Sequence, residues 1–72
     1  MIHLIQDITQ LPRMIKTLRE LQDLSREELA SRIDVTPGSI RNYETQKNIG
    51  VLRLRRIFKA LGYRMEIRLV KE

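Results

Sequence analysis

The stretch LSREELASRIDVTPGSIRNYE, residues 24–44, predicts two short helices with almost no connection between them. Ser25 and Glu28 form the pattern of a capping box, in which each side chain accepts a backbone N–H at the start of a helix. Thr36 before Pro37 marks the second start, because threonine is a good N-cap and proline is favoured at the first helical position. Two such helices, the second rich in outward-pointing polar side chains, are typical of a helix-turn-helix motif.

The flanking sequence predicts two more helices. Apolar residues at three- and four-residue steps indicate a helix that begins near residues 9–11 and ends near Gln22. Residues 45–50 have the composition of a loop. Counting this helix as helix 1 and the two helices within residues 24–44 as helices 2 and 3, helix 4 then runs from about residue 51 to 61, with Gly62 as its C-cap. The middle of the chain is therefore expected to be helical.

The last ten residues change to a two-residue period, which predicts a half-buried β-strand over Tyr63–Val70. A single strand leaves its backbone hydrogen-bonding groups without partners. Two partners are available: Ile2–Ile5 in the N-terminal segment 1–9, which is itself a candidate strand, or the same strand of a second copy. We favour the second copy, because a self-paired strand also covers an exposed edge. The apolar residues expected in this dimer strand are Tyr63, Met65, Ile67 and Leu69.

Composition and charge narrow the classes of function. The 72 residues suffice for one domain, and their net charge is +5. Residues 41–72 hold nine basic and three acidic groups, a net of +6, so this half suits a polyanion such as nucleic acid. There is no cysteine, and His3 is the single histidine, so we expect neither a metal or other cofactor nor an enzyme. No apolar run approaches the length of a membrane span and the N-terminus lacks a secretory pattern, so a cytoplasmic protein is expected.

Three stretches resemble the XRE/Cro-type helix-turn-helix regulators. Residues 24–36 are similar to their LSQEELAxxxGVS stretch, residues 38–44 to their recognition helix, and residues 59–62 (KALG) to the end of their fourth helix. The resemblance implies a mainly α, lambda-repressor-like domain of four to five helices with its helix-turn-helix core at residues 10–62. Such a domain followed at once by an alternating strand is similar to HipB-type antitoxins, small dimeric repressors that bind their own operators and a HipA-like kinase toxin. A single DNA-binding domain is therefore expected over residues 1–72.

The resemblance also implies roles for individual residues. Base contacts are expected from the start of helix 3, where Arg41 suits guanine O6/N7 and Asn42 suits adenine N6/N7. The residues expected to read bases or to touch the adjacent backbone are Thr36, Pro37, Gly38, Ser39, Arg41 and Asn42. Phosphate contacts are implied for Ser25, Arg26, Lys47 and Arg53. Arg19 and Glu44 match positions that form an internal ion pair between helices 1 and 3 in relatives.

Departures from the family pattern leave alternatives open. Pro37 and Gly38 stand where many relatives carry longer polar side chains, so specificity would rest on the next turn of helix 3 and on DNA shape. Asp23 and Asp34 replace the glycines usual before helices 2 and 3.

The basic helix at residues 51–61 would also suit a membrane surface or an acidic partner, although its apolar face is needed to close the core. A stand-alone XRE-family repressor and a basic protein-interaction module without specific DNA binding are the alternative functions.

Overall fold

The structure, a computed structural model of the 72-residue chain, describes every residue except Met1, Gln6 and Lys47. Lys47, one of the predicted phosphate contacts, therefore lies outside the described residues. The described residues form four α-helices preceded by a short 3-10 turn at Ile8–Gln10. The helices are α1 (Leu11–Leu21), α2 (Arg26–Ile33), α3 (Pro37–Thr45) and α4 (Val51–Ala60). The predicted mainly α, helix-turn-helix architecture is confirmed.

The core is aliphatic, and every helix contributes to it. α3 packs against both α1 and α2, and α4 packs against the same two helices. Each helix buries one isoleucine or leucine completely, namely Ile15, Leu29, Ile40 and Ile57. The other buried apolar residues are Leu18, Leu24, Ala30, Ile33, Leu54, Phe58 and Leu61. None of the helices in the described part of the chain is long and apolar enough to span a bilayer.

The turn between α2 and α3 is fixed by local hydrogen bonds. Asp34 ends α2 in the left-handed region, with φ 59° and ψ 47°. The backbone N–H of Val35 then donates to the Ala30 carbonyl at 3.0 Å, which satisfies a carbonyl at the helix end. One residue later, Thr36 Oγ1 accepts the Ser39 N–H at 3.2 Å and starts α3. The angle between the two helices is thus set by residues within this short stretch.

Replacing Asp34 by glycine should raise the free energy of unfolding by about 1 kcal/mol, because glycine adopts a positive φ without the steric cost that a Cβ brings. The change also removes a negative charge from the C-terminal end of α2, where the helix dipole disfavours it. Asp34→Ala is the matched control and should be less stable than the wild type. Urea unfolding followed by far-UV circular dichroism tests this order. A glycine variant no more stable than the wild type would contradict it.

The predicted C-terminal strand is absent from the single chain. Residues 63–70, all of which the structure describes, form no β-strand, and Ile2–Ile5 does not pair with them. The two segments are in contact at His3 and Tyr63, whose rings lie 5.5 Å apart between centroids. A strand needs a hydrogen-bonded neighbour to be stable in water, and the described residues of one copy supply none. The strand prediction is therefore wrong for the isolated chain.

Candidate nucleic-acid interface

α3 presents the predicted base-reading residues together on one exposed surface. The helix is anchored by Ile40 and Glu44, which are buried, and by Tyr43, which is half-buried. Arg41 and Asn42 are exposed between these anchors. The remaining predicted members, all at the start of the helix, are Thr36, Pro37 and Gly38, which are exposed, and Ser39, which is half-buried. The sequence-predicted surface is thus contiguous and open to solvent.

The start of α3 is both capped and unobstructed. Thr36 Oγ1 lies 3.0 Å from Ser39 Oγ, in addition to accepting the Ser39 N–H, so the two hydroxyls hold each other in place. A Cβ added to Gly38 would meet only Thr36 Oγ1, at an ordinary van der Waals distance of 3.9 Å. The fold itself therefore does not require glycine there. The missing side chain leaves the surface open at the start of α3.

A buried cluster of three charged side chains ties α3 to both α1 and α2. Glu44, whose side chain is 2% exposed, accepts from Arg19 Nε at 2.8 Å and from Arg26 Nε at 2.9 Å. Arg19 also donates through Nη1 to the Leu24 carbonyl at 2.8 Å. The ion pair expected between Arg19 and Glu44 is present, and Arg26 is a further member that sequence reasoning missed. No local signal could reveal it, because Arg26 and Glu44 are 18 residues apart.

The charge of this cluster does not cancel. Two guanidinium groups share one carboxylate, which leaves an excess of one positive charge. The side chain of Arg19 is 9% exposed, whereas that of Arg26 is 38% exposed, so the excess charge reaches solvent through Arg26. Only its Nε is bound to Glu44, and a guanidinium carries four further N–H donors. Arg26 is therefore held in place while part of it remains available to an anion.

The capping box predicted at the start of α2 is complete. Ser25 Oγ accepts the Glu28 N–H at 3.0 Å, and the Ser25 N–H donates to Glu28 Oε1 at 3.0 Å. The backbone N–H of Ser25, followed by its hydroxyl, lowers the pKa of the Glu28 carboxyl below its ordinary value. The Ser25 amide and the Ser25 hydroxyl are thus both committed to Glu28.

The lowered pKa of Glu28 makes the stability of α2 dependent on pH. Because the folded value lies below the unfolded one, this stabilisation is complete above the unfolded pKa and is lost as the pH falls through the folded pKa. Glu28→Gln keeps a hydrogen-bond acceptor but does not titrate. We expect its melting temperature to fall less between neutral and acidic pH than that of the wild type. Thermal unfolding at both pH values checks this prediction. The same fall in melting temperature for the variant and the wild type would contradict it.

α4 places one cation, Arg53, beside α3 and uses another, Arg56, to bind the end of α2. The guanidinium carbon of Arg53 lies 5.3 Å from the centroid of the Tyr43 ring, within the range of a cation–π contact. Arg56 donates through Nη2 to the Ile33 carbonyl at the end of α2. In the other direction, Arg32 of α2 donates through Nη1 to the Ala60 carbonyl at the end of α4, at 3.1 Å. Part of the basic surface of α4 is therefore used to join α2 and α4.

The membrane-surface alternative needs an apolar face on α4 that is free to leave the core. Leu54, Ile57 and Phe58, which form that face, are each no more than 5% exposed. An amphipathic helix can lie in a bilayer only by burying this face in lipid. α4 would have to be pulled out of the core to do so, and this disfavours the alternative.

Comparison with known proteins agrees with this geometry. A family model described as helix-turn-helix matches residues 15–67. A solved structure of HipB, carrying a serine-to-alanine substitution, in complex with the O2 20mer has a TM-score of 0.79 to this chain at 25% sequence identity. The alignment covers 99% of this chain and 100% of that one. No curated protein sequence matches the chain. Because the family match covers α2, α3 and α4 whole and most of α1, the chain belongs to the XRE-type helix-turn-helix family of DNA-binding regulators.

Proposed function

We propose that the protein is a sequence-specific transcriptional repressor that binds a pseudo-palindromic operator as a homodimer. The observation that carries this is the exposed surface at the start of α3, in a fold shared with HipB in its O2 20mer complex. In a helix-turn-helix the second helix enters the major groove, so α3 would read bases through Arg41 and Asn42. Its N-terminal turn would touch bases or the adjacent backbone through Thr36, Pro37, Gly38 and Ser39.

Phosphate contacts are proposed for one cation of α2 and one cation of α4, both of which lie against α3. Arg26 comes from α2 and rests on Glu44, whereas Arg53 comes from α4 and lies over Tyr43. The two cations thus reach α3 from two different helices, at the consecutive residues Tyr43 and Glu44. Such contacts fix the register of a protein on the duplex without reading sequence. Ser25 and Lys47 are the other proposed phosphate contacts.

We further propose that the protein is the antitoxin and autoregulator of a HipA-like toxin–antitoxin operon. The match to HipB supports this proposal because it extends over essentially both chains, including the segment after α4. In this proposal the homodimer binds its own upstream region and a HipA-like kinase toxin. Its two recognition helices would be spaced by about 34 Å, one turn of the duplex, or a multiple of it.

The dimer is proposed to form through residues 63–70, which become a strand only when a second copy provides the hydrogen-bonding partner. Ile67→Pro should therefore remove the dimer, because proline lacks the N–H that a strand ladder needs. Operator affinity should fall with it, since one recognition helix would act alone. Sedimentation measures the mass, with Ile67→Val as the matched control. An unchanged mass for the proline variant would contradict the proposed dimer strand.

Fluorescence anisotropy tests the function directly. The protein is titrated against labelled DNA from its own upstream region, with scrambled DNA as competitor and salt stepped through the physiological range. Preference for the upstream fragment by roughly a thousandfold would establish a specific autoregulator. Weak binding to both DNAs that fades steeply with salt would overturn the proposal and leave only a basic surface. Specific DNA binding without binding of a neighbouring HipA-like kinase would indicate a stand-alone repressor.

A further inference from the structure

Arg26 differs from the other hydrogen-bonded arginines in the part of its guanidinium that the fold uses. It donates through Nε alone, to Glu44 Oε1 at 2.9 Å, and neither of its terminal amino groups has a partner among the described residues. The other hydrogen-bonded arginines each donate through at least one terminal amino group, and they are Arg19, Arg32, Arg56 and Arg64. In the described part of the chain, Arg26 is therefore the one arginine that is held by a hydrogen bond and keeps both terminal amino groups open.

The carboxylate that holds Arg26 is itself fixed. The side chain of Glu44 is 2% exposed, and its second oxygen, Oε2, accepts from Arg19 Nε at 2.8 Å. Arg19 is held in turn by the Leu24 carbonyl. The carboxylate therefore cannot rotate without breaking a buried hydrogen bond. Because a guanidinium is planar and rigid, fixing Nε of Arg26 also fixes the direction of the edge that carries its two terminal amino groups.

We propose that Glu44 is a positioning residue for DNA binding, which holds Arg26 so that its two terminal amino groups form a preformed fork for one phosphate of the duplex. This inference rests on the phosphate contact proposed above for Arg26 and specifies how the chain makes it. Two parallel N–H donors match two oxygens of one phosphate. A geometry that is fixed in advance also lowers the entropy lost on binding. The phosphate completes the charge of the cluster, because two guanidinium groups then face one carboxylate and one phosphate.

Glu44 also links this fork to the residues proposed to read bases. It lies in α3, about one turn after Arg41 and Asn42. The phosphate contact and the base contacts are therefore held in a fixed relative position by a single helix. A phosphate contact can set the register of a protein on the duplex only if its position relative to the base contacts is fixed.

Arg26→Lys tests the fork, because it keeps the charge and removes the geometry. A lysine nitrogen is one compact group and stands one bond short of the terminal amino groups of arginine. The buried carboxylate of Glu44 should attract this nitrogen and leave no group for the phosphate. We expect the midpoint of urea unfolding to stay close to that of the wild type, because an ion pair with Glu44 remains. The affinity for DNA should nevertheless fall roughly tenfold, as it does for Arg26→Ala.

The same two substitutions at Arg53 provide the matched comparison. Arg53 lies over the Tyr43 ring and has no hydrogen bond to a described residue, so a lysine there is not drawn to a carboxylate. At Arg53, lysine should rescue most of the affinity that alanine loses, whereas at Arg26 it should rescue almost none. If Arg26 acted only through its charge, or only by stabilising Glu44, Arg26→Lys would bind DNA as tightly as the wild type, and this result would overturn the fork.

The slope of log affinity against log salt concentration tests the phosphate contact itself. Arg26→Ala should make this slope about one unit less steep for upstream and scrambled DNA alike. An unchanged slope would overturn the contact, whatever the affinity. A wild type that binds both DNAs equally would overturn the proposed repressor, but these comparisons would still decide the fork because they need only phosphate contacts.

The role of Glu44 has a spectroscopic readout that requires no change at Glu44. The Nε–H of Arg26 should give a resolved signal in the ¹H–¹⁵N spectrum of the free protein, since its bond to a buried carboxylate slows exchange with water. Absence of this signal from Arg26→Lys identifies it. The signal should persist when the protein is saturated with DNA, because only the terminal amino groups bind the phosphate. Its loss on saturation would show that the phosphate takes Arg26 away from Glu44, and would overturn the positioning role.

Discussion

Replacing Glu44 by glutamine should lower the free energy of unfolding by about 3–5 kcal/mol, which is most of the stability expected of a domain this small. The carboxylate is almost fully buried and holds two guanidinium groups by their Nε atoms. Without its charge, Arg19 remains buried as an uncompensated cation, and the amide of the new side chain adds a donor where acceptors are needed. Arg26 is partly solvated, so the larger share of the loss should come from Arg19. Urea unfolding measures the change.

Matched variants separate the buried pair from ordinary surface charge. Glu20→Gln removes an exposed carboxylate on α1, outside the proposed dimer segment, and should change the stability by less than about 0.5 kcal/mol. Arg19→Met should cost more than Arg26→Met, because Arg19 is the more buried and also binds the Leu24 carbonyl. A loss of stability for Glu44→Gln no larger than that for Glu20→Gln would show that the Glu44 carboxylate is not held as described.

The helices were predictable because the residues that start and stop them act locally. The Ser25 and Glu28 capping box depends on atoms three residues apart, and Thr36 before Pro37 depends on adjacent ones. The same holds for the exposed position of Arg41, which follows from the buried Ile40 beside it. Where a signal is contained in one turn of chain, the sequence is sufficient to locate the element and the face that it exposes.

Interactions between distant residues were only partly predictable. The carboxylate of Glu44 had one expected partner by family resemblance, but the second, Arg26, depends on how α2 crosses α3. Arg56 binding the Ile33 carbonyl is likewise a consequence of packing, since any cation of α4 would fit the sequence pattern equally well. The prediction of a strand at residues 63–70 was wrong for a related reason. A two-residue period indicates which side chains share a face, but a strand also needs a hydrogen-bonded neighbour, and the described part of one chain contains none.

Replacing Arg41 or Asn42 by alanine should remove much of the preference for operator over scrambled DNA. A bidentate contact to a base contributes about 1–3 kcal/mol of discrimination, so each variant should lose roughly tenfold or more in specific affinity. Both side chains are exposed, and α3 is anchored by Ile40 and Glu44 instead, so the free energy of unfolding should stay within about 0.5 kcal/mol of the wild type. Anisotropy with both DNAs measures affinity, and urea unfolding verifies the fold.

Arg53→Ala is the control that distinguishes the recognition of bases from the binding of phosphates. Arg53 lies beside α3 on the Tyr43 ring and is proposed to bind phosphate, so its loss should weaken binding to operator and scrambled DNA alike. It should also make the slope of log affinity against log salt concentration about one unit less steep, because one phosphate contact is lost. Arg41→Ala should leave that slope nearly unchanged while narrowing the gap between the two DNAs. If Arg41→Ala instead weakened both DNAs equally and lowered the slope, Arg41 would be a phosphate contact, and base recognition would have to come from Asn42 and from the shape of the duplex.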